Sequence, residues 1–171
     1  RQVSRVCTDP LVQYGKEAPT SIRNKTASFA LDQVTLDIIV STGIVSNMMT
    51  TVNDYYYNST LAHCVYYGST VTEHGHHHLH GEVVSLGVLC LLEHAGQFEE
   101  EDRLMRFIDS IGLPVCFDDV EIQESEFDKM ADKFMQTTEW AHMPQGVTRE
   151  NFLESMRREN AKGRAFKAAK K

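Results

Sequence analysis

The chain has little that would staple or break it: four Cys, four Pro and a single Trp among 171 residues. Cys7, Cys64, Cys90 and Cys116 are widely spaced and form no CxxC pair. A chain of this size needs no disulfide framework, so reduced thiols in a cytosolic setting are expected, with Cys64 and Cys90 as small core residues. No run of eighteen apolar residues occurs, so no membrane span is expected. No hydrophobic stretch follows the positive charges of RQVSRVCTDP, which argues against a signal peptide. That opening also lacks an initiator Met and reads as a fragment or a processed chain. No segment alternates convincingly at period two over five residues, so strands are not expected; CFDDVEI alone is ambiguous and could be extended. The formal net charge is −7, and basic residues gather only at the C-terminus. Nucleic acid is therefore a poor partner. The stretch from Lys162 to Lys171 reads as a solvated helix end whose cations suit the helix dipole.

What the chain does have is helical period. Ala27, Ala30, Leu31, Val34, Ile38 and Ser41 fall on one face, with Gly43 near a natural stop; Asp37 and Ile39 blur the pattern. A short apolar helix comes next, from about Ser59 to Tyr67, with Asn58 or Ser59 as its cap and Gly68 at its end. EVVSLGVLCLLEHAG reads as a buried helix closed by Gly96. FEEEDRLMRFIDSIGLP reads as an amphipathic one with Leu104, Phe107, Ile108 and Ile111 inward, stopped by Gly112 and Pro114. Ser125 and Asp128 resemble a weak capping box before the stripe Phe127, Met130, Ala131, Phe134 and Met135, a core face. After an MPQG turn, Thr148 caps a last helix with Phe152, Leu153 and Met156 inward. The expectation is a single all-α domain over residues 1–171, a bundle of about six to eight helices.

Six of the eight His lie between His63 and His80: His63, His74, His76, His77, His78 and His80. A catalytic zinc takes three His or carboxylate ligands and keeps a fourth position open. His63 sits on the short apolar helix, and His80 precedes Gly81 at the start of the buried one. Two helices with a loop between them can offer one imidazole each to a common point. Taken alone, His63 on an apolar helix reads more readily as a hydrogen-bonded core histidine than as a ligand. The string HGHHHLH reads as a surface chelator, since His74/His78 and His76/His80 stand at helical i, i+4 spacing.

The run LAHCVYYG followed by EHGHHHLHGEVVSLGVLCLL resembles the metal-binding region of the glycerol dehydrogenase branch of the iron-containing alcohol dehydrogenase family. The elements of the likeness are Ala62-His63, His80-Gly81-Glu82, Leu86-Gly87-Val88-Leu89, Ile111-Gly112-Leu113-Pro114 and Met143-Pro144, over roughly Phe29 to Phe166. The resemblance implies the helical, metal-binding C-terminal domain of the dehydroquinate synthase-like fold, without the N-terminal dinucleotide-binding domain. No Gly-rich loop between a strand and a helix is present to cradle a pyrophosphate. It implies His63 and His80 as ligands of zinc or ferrous iron. The third ligand is an aspartate in a Gly-Asp-Ala context; neither Asp9 nor Asp32 has that context, which places it upstream of Arg1. It further implies NAD as cofactor, a small polyol as substrate, a cytoplasmic homo-oligomer, and no dehydrogenase activity from this chain alone. Where the family commonly has a second histidine near the nicotinamide, this chain has Tyr66, the candidate cofactor neighbour. Glu82, Tyr56, Tyr66 and Tyr67 are candidates to orient the ligand imidazoles, or else a capping Glu and core aromatics. The competing readings are a metal-binding module centred on the histidine loop and a helical relative that has lost dehydrogenase chemistry.

Overall fold

The structure is a computed structural model and describes residues 2–49 and 59–170. Helices account for nearly all regular structure, and among the described residues there is no strand. They are α1 (Gln2–Tyr14), α2 (Ala18–Asn24), α3 (Phe29–Leu36), α4 (Thr42–Met49), α5 (Leu61–Ser69), α6 (His80–His94), α7 (Phe98–Ser110), α8 (Phe127–Phe134), α9 (Thr138–Ala141) and α10 (Arg149–Ala168). A π-helical turn, Asp37–Ser41, joins α3 to α4 without a break. With those two counted as one, the described residues form nine helices where periodicity suggested six to eight. α1, α2 and the four-residue α9 account for the surplus, being too short or too weakly patterned to read. CFDDVEI is not extended; Phe117–Val120 form a 3-10 turn. The helices fall into two compact units, residues 1–58 and 59–171.

In the first unit, Ser28 caps α3 by accepting from the Leu31 N–H at 3.1 Å. Gly43 does not stop the helix, which runs through it to Met49. The face turned inward carries Ala30 and Asp37, while Ile38 is 59% exposed. The π turn inserts one residue into the repeat and so shifts the phase of the turns after it. Seven large apolar side chains of this helix, from Phe29 to Met48, are exposed. By length and composition alone, Phe29–Met48 could cross a bilayer, although Asp32 and Asp37 interrupt its apolar run.

The second unit is built around α6. Val83, Leu86 and Cys90 of α6 pack with Leu61, Cys64 and Val65 of α5. Phe127, Met130 and Phe134 of α8 and Phe152, Leu153 and Met156 of α10 complete the core. Phe134 contacts both Trp140 and Phe152 at ring-centroid distances of 4.9 and 5.7 Å, fixing short α9 beside the core. Met135, expected inward, is exposed. The helix stops come out as read: Gly96 and Gly112 adopt left-handed φ of 64° and 81°. Two caps do not. The box before α8 is Gln123–Glu126, with the Gln123 N–H donating to Glu126 Oε2 at 3.0 Å. α5 is capped by Thr60, and Gly68 lies inside its last turn.

The basic tail is not merely solvated. Lys162 pairs with Glu101 and Asp102, Arg164 with Asp118 and Glu124, Lys167 with Asp119, and Lys170 with Asp109. At its inner edge Glu159 is fully buried, with neither carboxyl oxygen hydrogen-bonded. Burial, then the neighbouring Glu101, push its pKa well above the ordinary range. A carboxyl whose folded pKa is raised stabilises the fold fully below its unfolded value, and that contribution is lost as pH rises through the folded value. The contribution of Glu159 to stability is therefore expected to fall as pH climbs above 4.5, the ordinary Glu value. Glu159 contributes at most about 1.4 kcal/mol per pH unit. Glu159→Gln is expected to flatten this slope; denaturant unfolding from pH 4.5 to 8.5 measures it.

Candidate metal centre

His63 is the third residue of α5, and His80 the first of α6. The two helices cross where Gly87 meets Ala62. A β-carbon at 87 would lie 2.4 Å from the Ala62 carbonyl oxygen and 2.8 Å from its Cα. Only a residue without a side chain permits this approach. It holds the peptide just before His63 against α6, a little under two turns beyond His80.

The imidazoles of His63 and His80 come together, with ring centroids 5.6 Å apart and planes tilted by 45°. Two imidazoles on one tetrahedral zinc, at Zn–N bonds of about 2.0–2.1 Å, hold their centroids roughly 5–5.5 Å apart. The 5.6 Å separation lies just beyond that range. Burial, then the proximity of His80, lower the His63 pKa, with Glu139 opposing. The lowered pKa favours the neutral ring at neutral pH, the protonation state a metal needs. His63 Nδ1 accepts a long hydrogen bond, 3.4 Å, from the Thr60 N–H. That contact places the ring proton on Nε2, so coordination through either nitrogen displaces it. Among the described residues no group of three or more His, Cys, Asp or Glu converges as a metal site.

Tyr66 packs edge-on against His80 at 4.3 Å between centroids, so it borders the pair directly. Tyr67 stands 5.5 Å from Tyr66; its pKa is raised by burial and then by Glu139. Tyr56 lies outside the described residues. Glu82 accepts from the Leu79 N–H at 2.8 Å, capping α6, and stands 3.7 Å from His78 Nδ1. The capping role assigned to it as the alternative is what the structure displays. His78 lies between Glu82 and Glu121, each at 3.7 Å. It also lines a cavity of about 420 Å³ with Asp109, Leu113, Asp119 and Lys167. Cys64, next to His63, is buried, and its thiol is pushed up to about 12, so it offers no thiolate.

Glu139 is the residue that sequence reading missed. It comes from α9, accepts from Ser59 Oγ at 3.1 Å, and faces His63, Cys64 and Tyr67. The faint signal was Thr137 two residues ahead, whose hydroxyl accepts from the Trp140 N–H and starts a helix of one turn.

No family model matches the chain. Curated relatives do. Glycerol dehydrogenase of Thermotoga maritima is 26% identical over 174 residues, covering 96% of this chain and 44% of that protein. Glycerol dehydrogenase of Pseudomonas putida is 29% identical over 154 residues, covering 86% and 40%. The chain thus spans less than half the length of these relatives. Among solved structures, a probable glycerol dehydrogenase from Sinorhizobium meliloti superposes with a TM-score of 0.78 at 23% identity, over 96% of this chain and 46% of that one. Glycerol dehydrogenase from Schizosaccharomyces pombe gives 0.79 at 18% identity, over 99% and 43%. The helical fold is that of the glycerol dehydrogenases, and the similarity read from residues 29–166 extends over nearly the whole chain.

Gly87→Ala tests the crossing that presents the pair. It is expected to destabilise the chain by on the order of 1–3 kcal/mol, the cost of overpacking a tight contact. It is also expected to move His63 away from His80, read as loss of imidazole–imidazole cross-relaxation in the NMR spectrum.

Proposed function

We propose that this chain is the helical, metal-holding half of an NAD-dependent, glycerol-type polyol dehydrogenase. One observation carries the proposal: two imidazoles meet at 5.6 Å on helices whose sequences resemble that family's metal-binding region. The similarity to glycerol dehydrogenases over 96% of the chain supports the same reading. When bound, zinc or ferrous iron supplies Lewis acidity to a polyol hydroxyl and NAD accepts the hydride.

The chain's own residues do the positioning. α5 and α6 set the ligand pair, and the edge of Tyr66 fixes the plane of the exposed His80 ring. Glu139, tied to Ser59, places negative charge beside His63 and favours a cation there. The third donor and the dinucleotide cradle belong to the remaining half, which in the family carries the Gly-Asp-Ala motif. The assembled enzyme is proposed to be a cytoplasmic homo-oligomer.

Tyr66, where the family has histidine, favours one alternative, a relative that keeps the fold and has lost the chemistry. Expression of the whole reading frame, with the coding sequence upstream of Arg1, separates the two. The proposal expects NAD reduction with glycerol or 1,2-propanediol, and none from residues 1–171 alone. His63→Ala and His80→Ala are each expected to lower kcat/KM by more than about a thousandfold, roughly 4 kcal/mol of transition-state stabilisation. A whole protein that binds NAD and zinc yet oxidises no polyol would establish the alternative.

A further inference from the structure

The histidine string that precedes α6 is not a helix, so the i, i+4 pairs expected from its spacing do not form. Gly75–His77 instead make a single 3-10 turn with His74 at its cap. In a 3-10 turn, side chains three apart eclipse one another. His74 and His77 accordingly face each other, with ring centroids 5.7 Å apart and planes at 50°. That is nearly the arrangement of His63 and His80, at 5.6 Å and 45°.

The turn is held from beneath by buried hydrogen bonds. Thr72 Oγ1 donates to the Ser69 carbonyl at 2.7 Å and accepts from the Gly75 N–H at 3.1 Å. Gly75 lies so close to this support that a β-carbon would fall 2.1 Å from the Ser69 carbonyl oxygen. The Glu73 N–H donates to Glu126 Oε1 at 3.0 Å, tying the loop to the turn before α8. His76 packs edge-on against His77 at 4.1 Å, which limits the rotation of that ring. The Glu73 carboxylate stands 3.8 Å from His74 Nε2, a negative charge beside the pair. A chelating pair gains affinity when its rotamers are fixed before the ion arrives.

The structure assigns to His74 and His77 a second divalent-cation site, separate from the His63/His80 pair. It takes a borderline ion, Zn²⁺ or Cu²⁺, through two imidazoles, with water completing the shell. His76 orients His77 and is not a ligand; His78 is turned to Glu82 and Glu121. The assignment does not depend on the dehydrogenase reading.

Isothermal titration of the full 171-residue chain with Zn²⁺, in a His63→Ala/His80→Ala background, isolates the second site. One equivalent is expected, with micromolar dissociation. Adding His74→Gln/His77→Gln is expected to weaken it at least tenfold. Adding His78→Ala is expected to change it less than threefold. Circular dichroism confirms that each variant folds, and Gly75→Ala, which disturbs the turn while keeping both rings, is expected to weaken binding as well. Three results would overturn the assignment: binding weaker than millimolar in the first background, binding that survives loss of His74 and His77, or binding lost with His78.

Discussion

The contact between the Gly87 backbone and the Ala62 peptide is the constraint on which the rest of the second unit depends. α5 carries one imidazole and α6 the other, so their relative position is an interhelical distance. That distance is set where two backbones touch with nothing between them. Core residues above and below the contact, Leu61, Cys64, Val65, Val83, Leu86 and Cys90, then pack as a closed layer that prevents sliding. Gly68 plays a similar part on the opposite side of α5, where a β-carbon would lie 3.0 Å from Met130. α5 is thus held tightly along two faces. Its remaining side, with His63, Tyr66 and Tyr67, is half-buried, while His80 at the start of α6 is exposed.

Much of this was legible in the chain, and the reasons differ by element. The stops at Gly96 and Gly112 were readable because left-handed backbone is chemically specific to few residues. The core stripes of α8 and α10 were readable because nothing competes with a 3.6-residue period there. The α3–α4 helix misled because Asp37, two turns after Ala30, shares its inward face although it is charged, while apolar Ile38 stands outward. α5 was placed correctly but capped wrongly, because Asn58, Ser59 and Thr60 are all competent caps and only packing selects Thr60.

The histidine pair shows the same division. Spacing allowed His63 and His80 to meet without requiring it, and family likeness chose them from six neighbouring histidines. In the structure their ring centroids stand 5.6 Å apart. Glu139 was invisible for a physical reason: it lies on one turn of helix, seventy-six residues after His63, and reaches the site only through stacking of Trp140 on Phe134 and Phe152. The histidine loop was misread because helical spacing was assumed, where Gly75 and the Thr72 hydroxyl impose a tighter turn.

The pairing of the C-terminal cations divides α10 into two parts of different physical character. Its first half is anchored by Phe152, Leu153 and Met156 in a dry core, which dissolved ions cannot reach. From Lys162 onward the helix is joined to α7 and to the 118–124 segment by part-exposed ion pairs, each individually weak and readily screened, beside Gly163 packed on the Val115 backbone and Phe166 on a smaller apolar cluster. Ionic strength therefore acts unevenly along α10: dissolved ions weaken the charged rungs of its second half and leave the first half untouched.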